Sequence, residues 1–172
     1  SQAVKNTDTA SIKTKGFCNY KKTNGIKRHL CVDTLGNILF VACTPANISD
    51  DKGLIQIIKA NIIFFKKKPV NTPKITVLLD NGYHKQKLEK ELKEIYPQIL
   101  TKIRIQITPK PSKDKDNPGF KPVHKRWVVE RTNAWVEKCR VLWKNCERQL
   151  STSVAKLQLR LVRLQIKRLA RG

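Results

Sequence analysis

Two short apolar stretches joined at a glycine constrain the fold of this chain more than any other feature. Residues 27–33 and 37–43 are rich in Val, Ile, Leu and Phe, and three residues ending in Gly36 separate them. Because glycine supplies the backbone freedom that a tight connection needs, this pattern predicts a β-hairpin. Pro45 has no N–H to donate to a sheet, so the second strand should end there.

The segments around the hairpin indicate alternating strands and helices. The run 74–80, KITVLLD, is apolar up to Asp80, which is typical of strands that are buried on both faces and parallel to their neighbours. The order of elements predicts an α/β fold with a mixed sheet flanked by helices, in one domain over residues 1–172. The other predicted elements are strands at 1–5 and 102–108, helices at 50–62, 84–96, 126–147 and 153–170, and loops at 6–25, 64–73 and 109–122.

The chain is strongly cationic. Its 172 residues include 36 Lys and Arg against 13 Asp and Glu, which leaves a net formal charge of +23 at pH 7. Such an excess repels itself unless a polyanion neutralises it, and nucleic acid is the commonest one. No apolar stretch approaches a membrane span and the N-terminus shows no signal peptide, so we expect a cytoplasmic, nucleoid-associated protein. The basic segment 153–171 leaves binding to an anionic membrane surface as an alternative.

Two carboxylates are candidates for chemistry. Asp80 ends the most apolar strand candidate, and Glu130 lies off the apolar face of the helix that follows the last strand. Reactive groups of α/β proteins lie at the carboxyl ends of parallel strands, so the two acids could meet there and bind Mg²⁺ for phosphodiester chemistry. Plainer roles are also open: Asp80 as a turn residue, and Glu130 as a surface ion-pair partner of Arg126 or Arg131.

Aromatic and thiol side chains are predicted to lie mainly in the core. Trp135 and Trp143 fall on the apolar face of the Glu130 helix, and a buried Trp127 is favoured over one that stacks on a flipped base. Two cysteines in strand-like runs, at positions 31 and 43, are predicted to be small core residues. The five cysteines include no CxxC pair, so neither a zinc site nor a disulfide framework is predicted.

Four segments of the chain carry a family resemblance. They are GIKRHLCVDTLGNILFVACTPANISDDKG, VLLDNGYH, RWVVERTNAW and LQLRLVRLQIKRL. In this order they resemble the catalytic domain of bacterial insertion-sequence transposases of the DDE type, in the insertion sequence 4/5 group. The resemblance implies a ribonuclease-H-like fold, dependence on Mg²⁺ (or Mn²⁺), and cleavage and transfer of strands of double-stranded DNA. It leaves a homodimer on DNA as one assembly to test.

The resemblance also assigns roles to individual residues. Asp80 and Glu130 match the second and third catalytic, metal-binding acids of the family, and Arg126 matches its signature arginine. The first acid of the family would lie directly before Ser1, so the first strand is expected to be incomplete, whereas Asp33 matches a turn. With two acids of three, this chain alone is expected to be weakly active or inactive. A non-catalytic basic nucleic-acid-binding protein, or a transposase remnant, is the alternative.

Basic side chains are predicted to bind the phosphates of the DNA. Each neutralised phosphate releases counterions, so affinity should fall steeply with salt. The candidates lie in the lysine run, beside Glu130 and on the C-terminal helix: Lys66, Lys67, Lys68, Arg126, Arg131, Arg160, Arg163, Lys167 and Arg168.

Overall fold

The computed structural model describes residues 1–67, 72–108 and 126–170. The chain forms two compact units, one from residues 1–53 and 128–172 and the other from residues 54–127. Each unit has its own sheet and its own buried apolar residues. Strands and helices in both units confirm the α/β class, whereas a single domain over 1–172 stays a prediction.

Six strands and six α-helices lie within the described residues. The strands are β1 (Gln2–Lys5), β2 (Gly16–Cys18), β3 (Thr23–Val32), β4 (Ile38–Pro45), β5 (Ile75–Leu79) and β6 (Ile103–Ile107). The helices are α1 (Asp50–Ala60), α2 (Ile62–Lys67), α3 (Lys85–Ile95), α4 (Ile99–Lys102), α5 (Arg126–Glu137) and α6 (Leu150–Leu169). A loop was predicted to begin at residue 64, but α2 continues to Lys67 and buries Phe65.

An antiparallel sheet organises the first unit around β3. This strand pairs with β1, β2 and β4, and its ladder with β4 runs from the pair Ile26–Pro45 to the pair Val32–Ile38. The predicted hairpin is therefore confirmed. The prediction of a loop over residues 6–25 was wrong in part, because β3 extends beyond the hairpin and pairs there with β2.

The turn between β3 and β4 is built on Asp33 and Gly36. Gly36 has a φ of 84°, a conformation that glycine adopts without steric cost. The Oδ1 atom of Asp33 accepts hydrogen bonds from the backbone N–H groups of Leu35 and Asn37, both at 2.8 Å. Asp33 is thus a turn residue, as its position in the hairpin indicates.

Helices α5 and α6 bury apolar side chains against one face of this sheet. The shared core contains Val4 and Ile26 from the strands, Val136 from α5, and Leu157 and Leu161 from α6. All five are at most 5% exposed, and burying each such side chain contributes about 1.5–3 kcal/mol. Packing of this kind fixes α5 against the sheet.

The sequence predicts one helix over residues 126–147, but α5 ends at Glu137. The prediction was therefore wrong for residues 138–147. Asn145 instead lies beside the end of β1: its N–H donates to the carbonyl of Lys5 and its carbonyl accepts from the N–H of Thr7, both at 2.9 Å. These bonds to another element replace the helical hydrogen bonds that the local pattern favours.

The tryptophans are more exposed than the sequence predicts. Trp143 is 67% exposed and Trp127 is 49% exposed, so both core predictions were wrong. Trp143 leaves the apolar face because α5 ends six residues before it. Trp135 and Cys31 are half-buried, and Cys43 is buried as predicted.

Arg131, Trp135 and Arg168, which we call the arginine clamp, join the β3–β4 turn to both helices. Arg131 Nη2 donates to the carbonyl of Leu35 at 2.8 Å, and Arg168 Nη1 donates to Asn37 Oδ1 at 3.1 Å. The guanidinium carbons of the two arginines lie 4.8 and 4.3 Å from the centroid of the Trp135 ring system, within cation–π range. The clamp therefore connects α5, α6 and the hairpin.

Polar contacts around His29 connect the two ends of the first segment that carries the family resemblance. His29 is 3% exposed and hydrogen-bonds Thr44 Oγ1 through Nε2 at 2.9 Å. Gly53 packs so closely that a Cβ atom there would lie 2.1 Å from the imidazole ring. Lys27 Nζ lies 2.9 Å from Asp50 Oδ1. Residues 27–29 (KRH) therefore pack against residues 50–53 (DDKG) within the first unit.

A parallel strand pair forms the sheet of the second unit. β5 pairs with β6 in parallel, as the apolar run predicts, but Leu78 is 40% exposed, so burial on both faces was wrong. In β6, Ile103 and Ile105 are buried while Arg104 and Gln106 are exposed, which confirms the alternation. Leu88 and Leu92 of α3 are fully buried, as the helical spacing predicts.

Replacing Arg168 with alanine should lower the free energy of unfolding by about 1–2 kcal/mol, because hydrogen bonds to the turn and a cation–π contact are lost. Lys167→Ala removes the same charge from an exposed neighbour and should change that free energy by less than about 0.5 kcal/mol. Urea unfolding followed by circular dichroism measures both. Equal losses in the two variants would contradict a stabilising clamp.

His29 should make stability depend on pH. Burial lowers the pKa of His29 to about 4, below its usual value of about 6.5. Between these values the unfolded chain binds a proton that the folded chain does not. The free energy of unfolding should therefore fall by roughly 3 kcal/mol as the pH drops from about 6.5 to 4.

Denaturant unfolding at several pH values measures this slope. His29→Gln should remove most of it, whereas His84→Gln, at an exposed histidine, should retain it. The assignment to His29 is wrong if both variants keep the wild-type slope.

Candidate active site

Asp80 lies at the carboxyl end of a parallel strand, directly after β5. Asp80 is exposed, and its Oδ1 atom accepts a hydrogen bond from the N–H of Gly82 at 3.0 Å. The plainer role as a turn residue is therefore confirmed. A metal-binding role is compatible with it, because a carboxylate has about four lone-pair sites and this bond occupies one.

Glu130 lies in the second turn of α5 and is exposed. Val128 and Thr132, two residues to either side, are buried at 7% and 0% exposure. Thr132 Oγ1 also donates to the carbonyl of Gly36 at 3.0 Å. Helix α5 is thus anchored on one side and presents Glu130 on another, as the sequence pattern predicts.

The two candidate acids belong to different units, and their convergence stays a prediction. Asp80 lies in the second unit and Glu130 in the first. Among the residues that the structure describes, no three His, Cys, Asp or Glu side chains cluster as a metal site. Exposed carboxylates are nevertheless the hard oxygen donors that Mg²⁺ prefers, so the chemistry of this donor pair fits a divalent cation.

Some of the predicted DNA-binding residues lie in the second unit. Lys66 and Lys67 end α2 and are exposed, and Lys66 Nζ lies 4.9 Å from the centroid of the Tyr96 ring. Lys68 and the side chain of Arg126 fall outside the described residues. The two described lysines therefore place positive charge at the surface of this unit.

The remaining basic candidates lie in the first unit and differ in their surroundings. Arg163 and Lys167 are exposed on α6, whereas Arg160 is half-buried. Arg131 and Arg168 belong to the arginine clamp. DNA binding by all five stays a prediction, and the structure adds a structural role for the last two.

Sequence reasoning missed the arginine clamp. One signal was available, since Arg131 and Trp135 are four residues apart on a helix and such side chains are neighbours. Nothing local pointed to Arg168, which comes from a different helix.

Among the helices that the structure describes, none is long and apolar enough to cross a bilayer.

Comparison with known proteins shows the family. The sequence model of the transposase DDE domain matches residues 1–163. A Burkholderia cepacia protein named "Putative transposase for insertion sequence element IS402" is 30% identical over 137 residues, or 78% of this chain. The chain spans 60% of the length of that curated relative. No solved structure matches. On the evidence of the domain match over nearly its whole length, the chain belongs to the transposase DDE domain family.

Proposed function

We propose that this chain is the catalytic domain of an insertion-sequence transposase of the insertion sequence 4/5 group, with a ribonuclease-H-like fold, which cleaves DNA strands and transfers them. The domain match over residues 1–163 carries the proposal. The net charge of +23 supports double-stranded DNA as the partner, since neutralising phosphates releases counterions. It would act as a homodimer on nucleoid DNA in the bacterial cytoplasm.

Asp80 and Glu130 are the proposed ligands of the divalent cation, Mg²⁺ or Mn²⁺. Their support is the donor chemistry, the position of Asp80 after a parallel strand, and the general use of divalent metals in this family. When bound, such ions would supply activation of an attacking hydroxyl and stabilisation of the leaving oxygen of a phosphodiester. The role of the protein chain in this chemistry is to hold the two carboxylates in place. The hydrogen bond from Gly82 orients one of them, and the buried face of α5 orients the other.

A third acid would find a suitable position beside β1. Side chains alternate along a strand, and Gln2 points to α5, where its Nε2 donates to Glu137 Oε1 at 2.8 Å. Along β1 the contacts advance from Glu137 at Gln2 to Asn145 at Lys5. A residue directly before Ser1 would share the face of Gln2 and lie about 7 Å farther back, toward the half of α5 that carries Glu130.

Charged side chains on both units are proposed to bind the DNA backbone. Arg163 and Lys167 on α6, with Lys66 and Lys67 on α2, are exposed and described. Arg126 is proposed with them from its place in the family signature. Because these contacts involve phosphates, they position the DNA and carry no sequence information.

Metal binding by single-carboxylate variants tests the proposed site. In titration calorimetry with Mn²⁺, Asp80→Asn and Glu130→Gln should each weaken the affinity at least about tenfold, because each removes a charged ligand. Two matched controls remove one exposed carboxylate each, Asp8→Asn and Glu94→Gln, and should bind like wild type.

The double variant then asks whether the two acids share a cation. If they do, combining Asp80→Asn with Glu130→Gln should cost less than the sum of the single effects, because each single change already disrupts the same site. Additive effects, or unchanged binding in either single variant, would contradict the proposal. Unchanged binding together with salt-sensitive DNA affinity would favour the non-catalytic DNA-binding protein.

The third acid has its own test. A chain with Asp placed directly before Ser1 should bind Mn²⁺ more tightly, and nick DNA faster, than the matched chain with Asn there. Equal behaviour of the two chains would contradict the role assigned to that position.

A further inference from the structure

Arg28 occupies an unusual position on the helix-facing side of β3. Its strand neighbours in register are Gln2 on β1 and Cys43 on β4. Two positions away on its own strand, Ile26 belongs to the apolar core and Leu30 packs against that core. Arg28 is 5% exposed. A guanidinium group is therefore held in the layer that otherwise packs against α5 and α6.

This buried cation forms no ion pair in the described part of the chain, and the nearby carboxylate of Glu137 accepts a hydrogen bond from Gln2. The backbone of Arg28 belongs to the β1–β3 and β3–β4 ladders, but its guanidinium makes no hydrogen bond to a described residue. The neighbouring Cys43 does not supply a negative charge, because burial raises the pKa of its thiol to about 11. Burial also lowers the pKa of Arg28 itself, which reflects the cost of a charge held away from water. An unpaired buried charge is unfavourable, so an anion bound beside Arg28 would stabilise the folded chain.

A cleft in the first unit gives an anion room to reach Arg28. Its volume is about 310 Å³, roughly that of ten water molecules, so a phosphate group and its hydration fit. Besides Arg28 it is lined by Gln2, Lys5, Glu137 and Trp143, among others. Two cationic side chains and one carboxylate leave the lining net positive, and the amide of Gln2 already donates to that carboxylate.

We infer that this cleft binds a phosphate group of the DNA backbone, with Arg28 as its buried ligand and Lys5 as a second cation. Arginine suits this role because its planar fork of N–H donors matches phosphate oxygens in pairs. The phosphate site stands on the geometry of the first unit alone. DNA as the source of the phosphate rests on the proposed function.

The first experiment measures stabilisation by inorganic phosphate. The melting temperature of the full chain is followed as phosphate replaces chloride at constant ionic strength, since a ligand of the folded state raises it. Arg28→Met keeps the side-chain volume without the charge, and Arg148→Met removes one charge from an exposed position of the same unit. Arg28→Met should melt no lower than wild type without phosphate and should lose at least half of the phosphate-dependent rise. Arg148→Met should keep that rise.

Two results of this first experiment would overturn the inference. One is an equal phosphate-dependent rise in both variants. The other is a large loss of stability in Arg28→Met without phosphate, which would mean that the charge is satisfied within the protein.

A second measurement tests the site in the wild-type chain, without any variant. Crystals of the wild-type chain soaked in tungstate, a heavy tetrahedral oxyanion, should show an anomalous peak within hydrogen-bond reach of the Arg28 guanidinium. Peaks confined to surface lysines, an adventitious ion only, would contradict the site.

The third measurement identifies the source of the phosphate. Fluorescence anisotropy with a short DNA duplex should show affinity at least about tenfold weaker for Arg28→Met than for Arg148→Met, as expected when a charge-assisted hydrogen bond is lost. Phosphate stabilisation that depends on Arg28 without this difference in DNA affinity would overturn DNA as the source. Metal binding by Asp80 and Glu130 is measured separately, so failure of the proposed active site and failure of the phosphate cleft are distinguishable.

Discussion

The arginine clamp is the interaction on which the geometry of the first unit depends. Arg131 and Arg168 reach the β3–β4 turn from two helices, and both lie within cation–π range of Trp135. Thr132 adds a hydrogen bond from α5 to the carbonyl of Gly36 in the same turn. Because α5 also carries Glu130, a hairpin turn nearly a hundred residues earlier in the chain helps to position a candidate catalytic acid. Loss of DNA affinity at either clamp arginine therefore has to be separated from loss of structure.

Several residues of the recognisable sequence segments serve packing rather than chemistry. Lys27 pairs with Asp50, and His29 packs against Gly53 and hydrogen-bonds Thr44. These contacts link strands to the start of α1 through neutral or paired groups, which burial tolerates. Arg28, between them in sequence, differs because its charge has no partner in the described chain and faces a cleft. Within one three-residue segment, two side chains stabilise the fold and the third is available for a ligand.

Local patterns predicted the elements whose stabilising contacts are themselves local or periodic. The β3–β4 hairpin follows from its apolar runs and Gly36, and α6 follows from leucines at helical spacing. The errors come from tertiary contacts. Asn145 bonds to β1 and not within a helix, so α5 ends early and Trp143 becomes exposed. Periodicity along a single segment carries no information about such partners.

The candidate site shows the same division between local and tertiary information. The position of Asp80 after a strand and the exposure of Glu130 on α5 could be predicted from spacing. The structure confirms each of them within its own unit. Their positions along the chain made these two acids candidates, and the family resemblance assigned them catalytic, metal-binding roles. Neither the arginine clamp nor the buried Arg28 could be predicted, since both depend on which strands and helices become neighbours. The shared cation stays a prediction because it joins residues from the two units.

Paramagnetic relaxation by Mn²⁺ tests the central claim most directly. In the ¹⁵N-labelled chain, Mn²⁺ broadens the amide signals of nuclei near its binding site. If Asp80 and Glu130 share one ion, the signals of residues 79–83 and 128–132 should broaden together, with the same dependence on Mn²⁺ concentration. Broadening of one group alone, or of the two groups at clearly different concentrations, would contradict a shared metal site.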